Sequence, residues 1–489
     1  MKIESFPGFL KDNYLIILIF IVAAIPRFFG LEREGIWYDE AVSISVSKLG
    51  FADIFKWVFN NTAETNPPFY YMILHCWIPE FGDSEFVSRI PSAFFGSLSI
   101  FAIYAVGKLL SDKKTGLIAA LILATSVLHI SFAQEARGYT LMVCLILASY
   151  YSLLQLTIKR RTLYTITYIV STVLLVYTHY YGVMIVLAQN IFCFTLLLKN
   201  KKIGVLGIGW WLKLQVITGL FLLPGLFSLA VIALKIQKGF WVPEQSTEDV
   251  WQYFNKYAGS IYLLVLFLAF TLYSVAGLRK VKYRRENKKS GKPAIELADT
   301  VRISEGGRLY MLLLWMVVPI LVPFLISLVS SPILIARYTI GASLAFYLLA
   351  SKGIGNMNKL WLSLAVAGLI VVFSCFNITG YYKSVGRHQW RELMSYIESN
   401  AQSGDVIVVS PIYESVTAEY YNKRKDLRII PLGRKFPSFE GLGDRNIWFV
   451  FHAHPESREN ARKGLGGKYY ITEKHYYRLD LFQLREKGN

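Results

Sequence analysis

The sequence is short of charge and of cysteine. Of its 489 residues, 17% are Asp, Glu, Lys or Arg, while 54% are hydrophobic. A soluble domain carries roughly a quarter charged residues, so a soluble globular chain is excluded. The cysteines number four. Cys144, Cys193 and Cys375 fall inside apolar blocks, and Cys76 reads as part of a loop. Their scatter matches neither a disulfide framework nor a thiolate metal site, and neither is expected. No phosphate-binding glycine motif opens a helix: "GLGD" (441–444) and "GLGG" (464–467) lack the spacing. The first apolar block has no small-residue cleavage site and reads as a retained helix rather than a signal peptide.

What is abundant is long apolar sequence. "YLIILIFIVAAI" (14–25), "AFFGSLSIFAIYAV" (93–106) and "LYMLLLWMVVPILVPFLISLV" (309–329) are blocks, not amphipathic stripes. A helix needs roughly 20 mostly apolar residues to cross a bilayer core. The expectation is a polytopic α-helical membrane protein with about eleven spans: 13–31, 88–108, 115–133, 138–157, 162–179, 181–198, 210–234, 258–278, 309–329, 338–352 and 359–379.

The net charge of +19 is distributed as topology rather than as a nucleic-acid footprint. Basic clusters lie between blocks, at "KLLSDKK" (108–114), "KRR" (159–161), "KNKK" (199–202) and "RKVKYRRENKK" (279–289). With the N-terminus cytoplasmic, the loops near 110, 160, 200, 290 and 355 share that side and all carry Lys or Arg. Such clusters also suit anionic lipid headgroups. The acids and aromatics then lie outside, in the loops at 35–87, 134–137, 180, 235–257 and 330–337. An odd number of spans places the C-terminus outside. The expected location is the plasma or inner membrane.

Two domains are expected, 1–380 in the membrane and 381–489 outside it. Within the first, loop 31–87 contains "ADIFKWVFNN" (52–61), an amphipathic helix for the membrane surface. Residues 280–308 read as a structureless cytoplasmic loop. After 380 the pattern alternates: helix 390–397, strand 404–410, helix 414–422, strand 427–432, strand 446–451, helix 456–464. Such alternation indicates a small α/β domain with a largely parallel sheet.

Polar residues stand where membrane partitioning disfavours them. "GIWYDEAVSI" (35–44) sets Asp39 and Glu40 beside Trp37 and Tyr38. "SFAQEARGYT" (131–140) carries Glu135, Arg137 and Tyr139; "YTHYYG" (177–182) carries His179; "PILIARYT" (332–339) carries Arg337 and Tyr338. Arg89 in "SRIPSA" is a fifth position. An ionisable side chain at the centre of a spanning helix costs about 2.5–3.5 kcal/mol on insertion scales, and less near the boundary. Arginines there suit bidentate contact with phosphate, and a carboxylate suits a base on an acceptor hydroxyl. Plainer roles exist for each. The arginines can snorkel to lipid phosphates, Glu135 can clamp Arg137, His179 can end a helix, Trp37 and Tyr38 can be belt aromatics, and Asp39 can cap "EAVSISVSKL".

The ordered set "WYDEA" (37–41), "NPPFYY" (66–71), "SEFVSRIPSAFFG" (84–96), "SFAQEARGYTL" (131–141), "THYYG" (178–182) and "ARYT" (336–339) resembles the GT-C membrane glycosyltransferases. Within them it is similar to the protein mannosyltransferase-like and aminoarabinose-transferase-like branch. "WRELMSYIESNAQSGDVIVVSP" (390–411) resembles the extracytoplasmic domain appended to many members. The resemblance covers most of the chain in order. It departs at Asn66, where members often have His before two prolines.

The resemblance implies a polyprenyl-phosphate sugar donor used on the outer membrane face, with Asp39 as catalytic base and Glu40 as a supporting carboxylate. Arg137, Arg337 and Arg89 would hold the donor phosphate. Trp37, Tyr38, Glu135, Tyr139, His179 and Tyr338 would line the pocket. Attack opposite a phosphate leaving group implies inversion at the anomeric carbon. No cofactor is expected. No metal-ligand spacing is visible, although a divalent metal could share the neutralisation of the lipid phosphate. The acceptor would be a lipid, glycan or protein hydroxyl. Two alternatives share the architecture: a transporter or flippase of lipid-linked sugars, and a glycan ligase using a lipid pyrophosphate. The first should show internal repeats, and none is visible between the halves.

Overall fold

A computed structural model describes residues 6–60, 66–236, 242, 246–287, 303–433 and 446–487. The protein is mainly helical, with a small sheet domain at its C-terminus. Among the described residues, six helices are long and apolar enough to cross a membrane, or up to eight if each of two bent pairs is one span. These bent pairs are Lys113–Thr125 with Val127–Ala133, and Glu248–Ala258 with Ile261–Ala276. Three further apolar helices, Asn13–Phe28, Thr162–Thr178 and Ile340–Gly355, are shorter than that measure. The chain is a multi-pass membrane protein, and every apolar block of the sequence is helical.

By contact the chain divides into two compact units. The first comprises 1–29, 52–72 and 90–381, and contains the apolar helices. Its core is built on helices that approach closely at small residues. A Cβ on Gly353 would lie 2.0 Å from the Phe270 carbonyl oxygen, so only glycine permits that crossing. Trp315 stacks on Tyr150 with ring centroids 3.6 Å apart, and its indole donates to the Gly341 carbonyl. A short hairpin of β1 (Lys202–Ile203) and β2 (Leu206–Gly207) follows the basic "KNKK".

The second unit comprises 30–51, 73–89 and 382–489. Its sheet contains β3 (Val406–Ser410), β4 (Arg428–Pro431), β5 (Ile447–His452), β6 (Tyr469–Tyr476) and β7 (Leu479–Glu486), in the order β4-β3-β5-β7-β6. Strands β4, β3 and β5 are parallel, while β7 and β6 are antiparallel. Alternate residues face opposite layers. Ile407, Val409, Trp448 and Val450 pack with Trp390, Leu393 and Ala418 of helices Trp390–Asn400 and Ser415–Tyr421. Val406, Val408, Phe449 and Phe482 pack with Ala461 and Leu465 of helix Pro455–Leu465.

Four readings of the sequence change. The sheet is mixed rather than largely parallel, because hairpin β6–β7 was not anticipated. It turns at Tyr477–Arg478, with Arg478 at φ 63° and no glycine or asparagine to signal the turn. The segment 280–287 continues helix Ile261–Asn287 instead of forming a loop, as suits its Lys, Arg and Glu residues; 288–302 lie outside the described residues. Cys76 lies in helix Phe69–Phe81 rather than in a loop, and all four cysteines are free. Residues 30–51 and 73–89, drawn with the membrane domain in the sequence, pack with the terminal domain. The reason is a set of directional bonds between them.

Candidate active site

The acid helix runs Tyr38–Ser47 and starts immediately after Trp37, whose backbone is extended. Asp39 and Glu40 occupy its first turn, where the helix dipole favours negative charge. Asp39 is not the cap; Trp37 holds that position, and no side chain there makes a capping bond. Asp39 is 8% exposed and Glu40 is fully buried. Trp37 and Tyr38 are half-buried, and Tyr38 meets Tyr413 edge-on at 5.0 Å.

Glu40 sits between two guanidinium groups. Arg89 donates Nε to one carboxylate oxygen at 2.8 Å and Nη2 to the other at 2.7 Å. Arg387 donates to Glu40 at 2.7 Å. The remaining Arg89 donors go to the carbonyls of Leu31, Glu34 and Gly35. All five N–H groups of Arg89 are therefore committed within the loop, and a phosphate could reach it only by displacing them. Arg89 and Glu40 together form a buried clamp that shapes the loop carrying Asp39.

Residues from the terminal domain complete the clamp, and the sequence reading missed them. Tyr421 accepts from the Ile36 N–H at 2.5 Å and donates to Glu85. Arg391 donates to Glu85 at 2.6 Å and to the carbonyls of Glu32 and Arg33. Gly35 lies close against these groups, and a Cβ there would sit 3.0 Å from the Tyr421 hydroxyl. Arg387 shortly precedes the recognisable "WRELM" helix start and Arg391 lies within it, but nothing in their spacing points back to residue 40.

In the first unit the remaining motifs interlock around a second cluster. The Ser92 hydroxyl donates to the Arg137 carbonyl at 3.0 Å and bonds the Tyr70 hydroxyl at 2.7 Å. A Cβ on Gly138 would lie 3.1 Å from Thr178 and 3.2 Å from Tyr70. Thus "NPPFYY", "SRIPSA", "EARGYT" and "YTHYYG" meet around one backbone position. Arg137 is 4% exposed; Arg337 and Glu135 are half-buried. His179 lies in the turn after helix Thr162–Thr178, packed by the rings of Tyr139, Tyr181 and Tyr338 at 5.8, 5.8 and 4.8 Å. Arg337 lies over the Tyr338 ring.

Burial, reinforced by the positive charges of Arg137 and Arg337, pushes the His179 imidazole down to about 3. The ring is neutral. Its Nδ1 accepts from the Tyr181 N–H at 3.2 Å, which leaves the proton on Nε2. Buried Nε2 has no hydrogen-bond partner among the described residues. Arg137, Arg337, His179, Tyr139 and Tyr338 are therefore neighbours in one cation-rich cluster. Asp39, Glu40, Arg89, Trp37 and Tyr38 belong to the other unit.

Comparison with known structures bears on both units. ArnT from Cupriavidus metallidurans in the apo state superposes with a TM-score of 0.65 at 10% identity, over 97% of this chain and 98% of that one. The chain has the GT-C fold. A second ArnT structure, bound to undecaprenyl phosphate, matches with a TM-score of 0.61 at 11% identity, over 96% of this chain and 98% of that one. The archaeal oligosaccharyltransferase AglB from Archaeoglobus fulgidus, in complex with an inhibitory peptide and a dolichol-phosphate, matches at 0.52 and 13%, over 84% and 64%. Residues 65–227 match the family model described as dolichyl-phosphate-mannose-protein mannosyltransferase. That stretch contains the Arg137 and His179 motifs. No curated protein sequence matches the chain.

Proposed function

We propose that the protein is a glycosyltransferase that moves a sugar from a polyprenyl-phosphate donor to an acceptor hydroxyl on the extracytoplasmic membrane face. The observation that carries this reading is the cluster of Arg137, Arg337 and His179. Two cations and a buried, unpartnered N–H donor in an apolar setting are complementary to a phosphate. The solved relatives that hold undecaprenyl phosphate or dolichol-phosphate support the same ligand class.

The chemistry follows from the groups. The acceptor oxygen attacks the anomeric carbon, the carbon–oxygen bond to phosphate breaks, and the proton passes to Asp39. Negative charge grows on the departing lipid phosphate. Arg137 and Arg337 stabilise it, with the His179 N–H as a neutral donor. Attack from the face opposite the phosphate inverts the anomeric carbon. Glu40 and Arg89 do not touch the reacting atoms in this scheme; they hold the acid loop in shape. In this reading the N-terminus is cytoplasmic and the terminal domain extracytoplasmic, and the acceptor is a lipid, glycan or protein hydroxyl.

The test is incubation of the purified protein with a panel of radiolabelled polyprenyl-phosphate sugars and membrane acceptors. Release of polyprenyl monophosphate, coupled to labelled product of inverted anomeric configuration, is expected. Translocation of intact donor across liposomes without release would instead identify a flippase.

A further inference from the structure

The terminal domain holds a group of side chains that the transfer scheme does not use. Among the described residues, His388, Glu414 and His452 are the one group of three His, Cys, Asp or Glu whose ligand atoms all lie within 4.8 Å of one another. They come from separate elements. His388 precedes helix Trp390–Asn400, Glu414 ends the short 3₁₀ turn Ile412–Glu414, and His452 ends β5. The Glu414 Oε1 is 3.0 Å from His452 Nε2 and 3.4 Å from His388 Nδ1. Tetrahedral zinc with bonds of about 2.0–2.1 Å sets its ligand atoms about 3.4 Å apart, so both spacings suit a shared ion.

Two further features point the same way. The His388 Nδ1 is buried without a hydrogen-bond partner, although it faces a carboxylate oxygen. A metal would use that lone pair where a proton is poorly placed. Glu414 is 2% exposed, and its other oxygen accepts from the Trp390 indole at 3.1 Å and the Thr417 hydroxyl at 3.3 Å. Such outer contacts orient a ligating carboxylate.

We infer that His388, Glu414 and His452 form a binding site for a divalent cation of the zinc class, with the fourth coordination position left to water. The placement gives the ion a task. Residue 387, next to His388, is the arginine bonded to Glu40 at 2.7 Å. Tyr413, next to Glu414, packs against both Tyr38 and His452. A bound ion would fix these two of the attachments between the acid loop and the terminal domain. It acts on position, not on the reacting atoms.

The full-length protein in detergent, stripped with EDTA and desalted, is titrated with Co(II). One equivalent is expected to bind with the intense visible bands of a tetrahedral site, and zinc should displace it. X-ray absorption of the zinc-loaded wild type should show two imidazole nitrogens and no sulfur. His388→Ala and His452→Ala should each weaken uptake at least tenfold, whereas Cys76→Ser should leave it unchanged. Zinc should raise the Tm of the wild type and not of His388→Ala. Substoichiometric cobalt uptake by the wild type, or uptake unaltered in both histidine variants, overturns the inference. Should a variant fail to fold, the wild-type titration and absorption spectrum still decide.

Discussion

The acid loop and the cation cluster handle charge in opposite ways. In the loop, Glu40 is fully buried and its two oxygens are met by Arg89 and Arg387. In the cluster, Arg137 and Arg337 bear on a histidine that burial keeps neutral. The first arrangement cancels charge internally and produces shape. The second sets two positive charges beside a histidine whose Nε2 has no hydrogen-bond partner among the described residues. Buried charge is therefore no guide to catalysis by itself. Asp39, one residue from Glu40 on the same helix turn, is 8% exposed where Glu40 is sealed.

The largest effect that would break this contrast is on turnover. Asp39→Asn should lower kcat by about 10²–10⁴-fold, the usual contribution of a positioned base, with donor binding retained. Next, Arg337→Ala should lower transfer by about 10²–10³-fold, as for loss of one preorganised donor to a developing anion. Arg337→Lys should recover only part, because the ammonium keeps the charge and loses the fork. Both are read from steady-state rates and donor affinity.

Glu40→Gln sharpens the comparison from the other side. It leaves Arg89 and Arg387 facing a neutral amide, and stability should fall by about 3–5 kcal/mol, as when a buried pair loses one partner. A thermal melt should show this loss. Tyr421→Phe, which removes bonds to Ile36 and Glu85, should cost about 1–3 kcal/mol.

The smallest effect concerns pH. The folded value of His179 lies near 3, below its ordinary 6.5, so the unfolded chain binds more protons between those values. The stability contributed by the neutral ring is complete above about 6.5 and is lost as pH falls toward 3. His179→Gln should flatten that part of the stability profile. A rate profile assigned to His179 with a midpoint near 6.5 would contradict its buried, neutral state.

Much of the fold was legible because apolar blocks and basic loops leave few alternatives for a chain in lipid. The cation cluster was legible as well, since Arg137, His179 and Arg337 stand out against apolar flanks. The clamp was not. Arg387 and Arg391 look like ordinary polar residues at a helix start, and their partners at 40 and 85 lie more than 300 positions away in sequence. Arg89 was assigned to phosphate from its charge and position, while its geometry turns every donor inward. The histidine pair around Glu414 was invisible for a related reason: its ligands stand at 388, 414 and 452, a spacing set by the sheet and not by any local motif. Hairpin β6–β7 escaped because its turn lacks the residues that mark one.

The most direct measurement is the release of polyprenyl monophosphate from a labelled donor by Asp39→Asn, set beside its donor affinity. The account predicts bound donor and no release above background. Release at the wild-type rate would remove Asp39 from the reaction and leave the acid loop as scaffold alone.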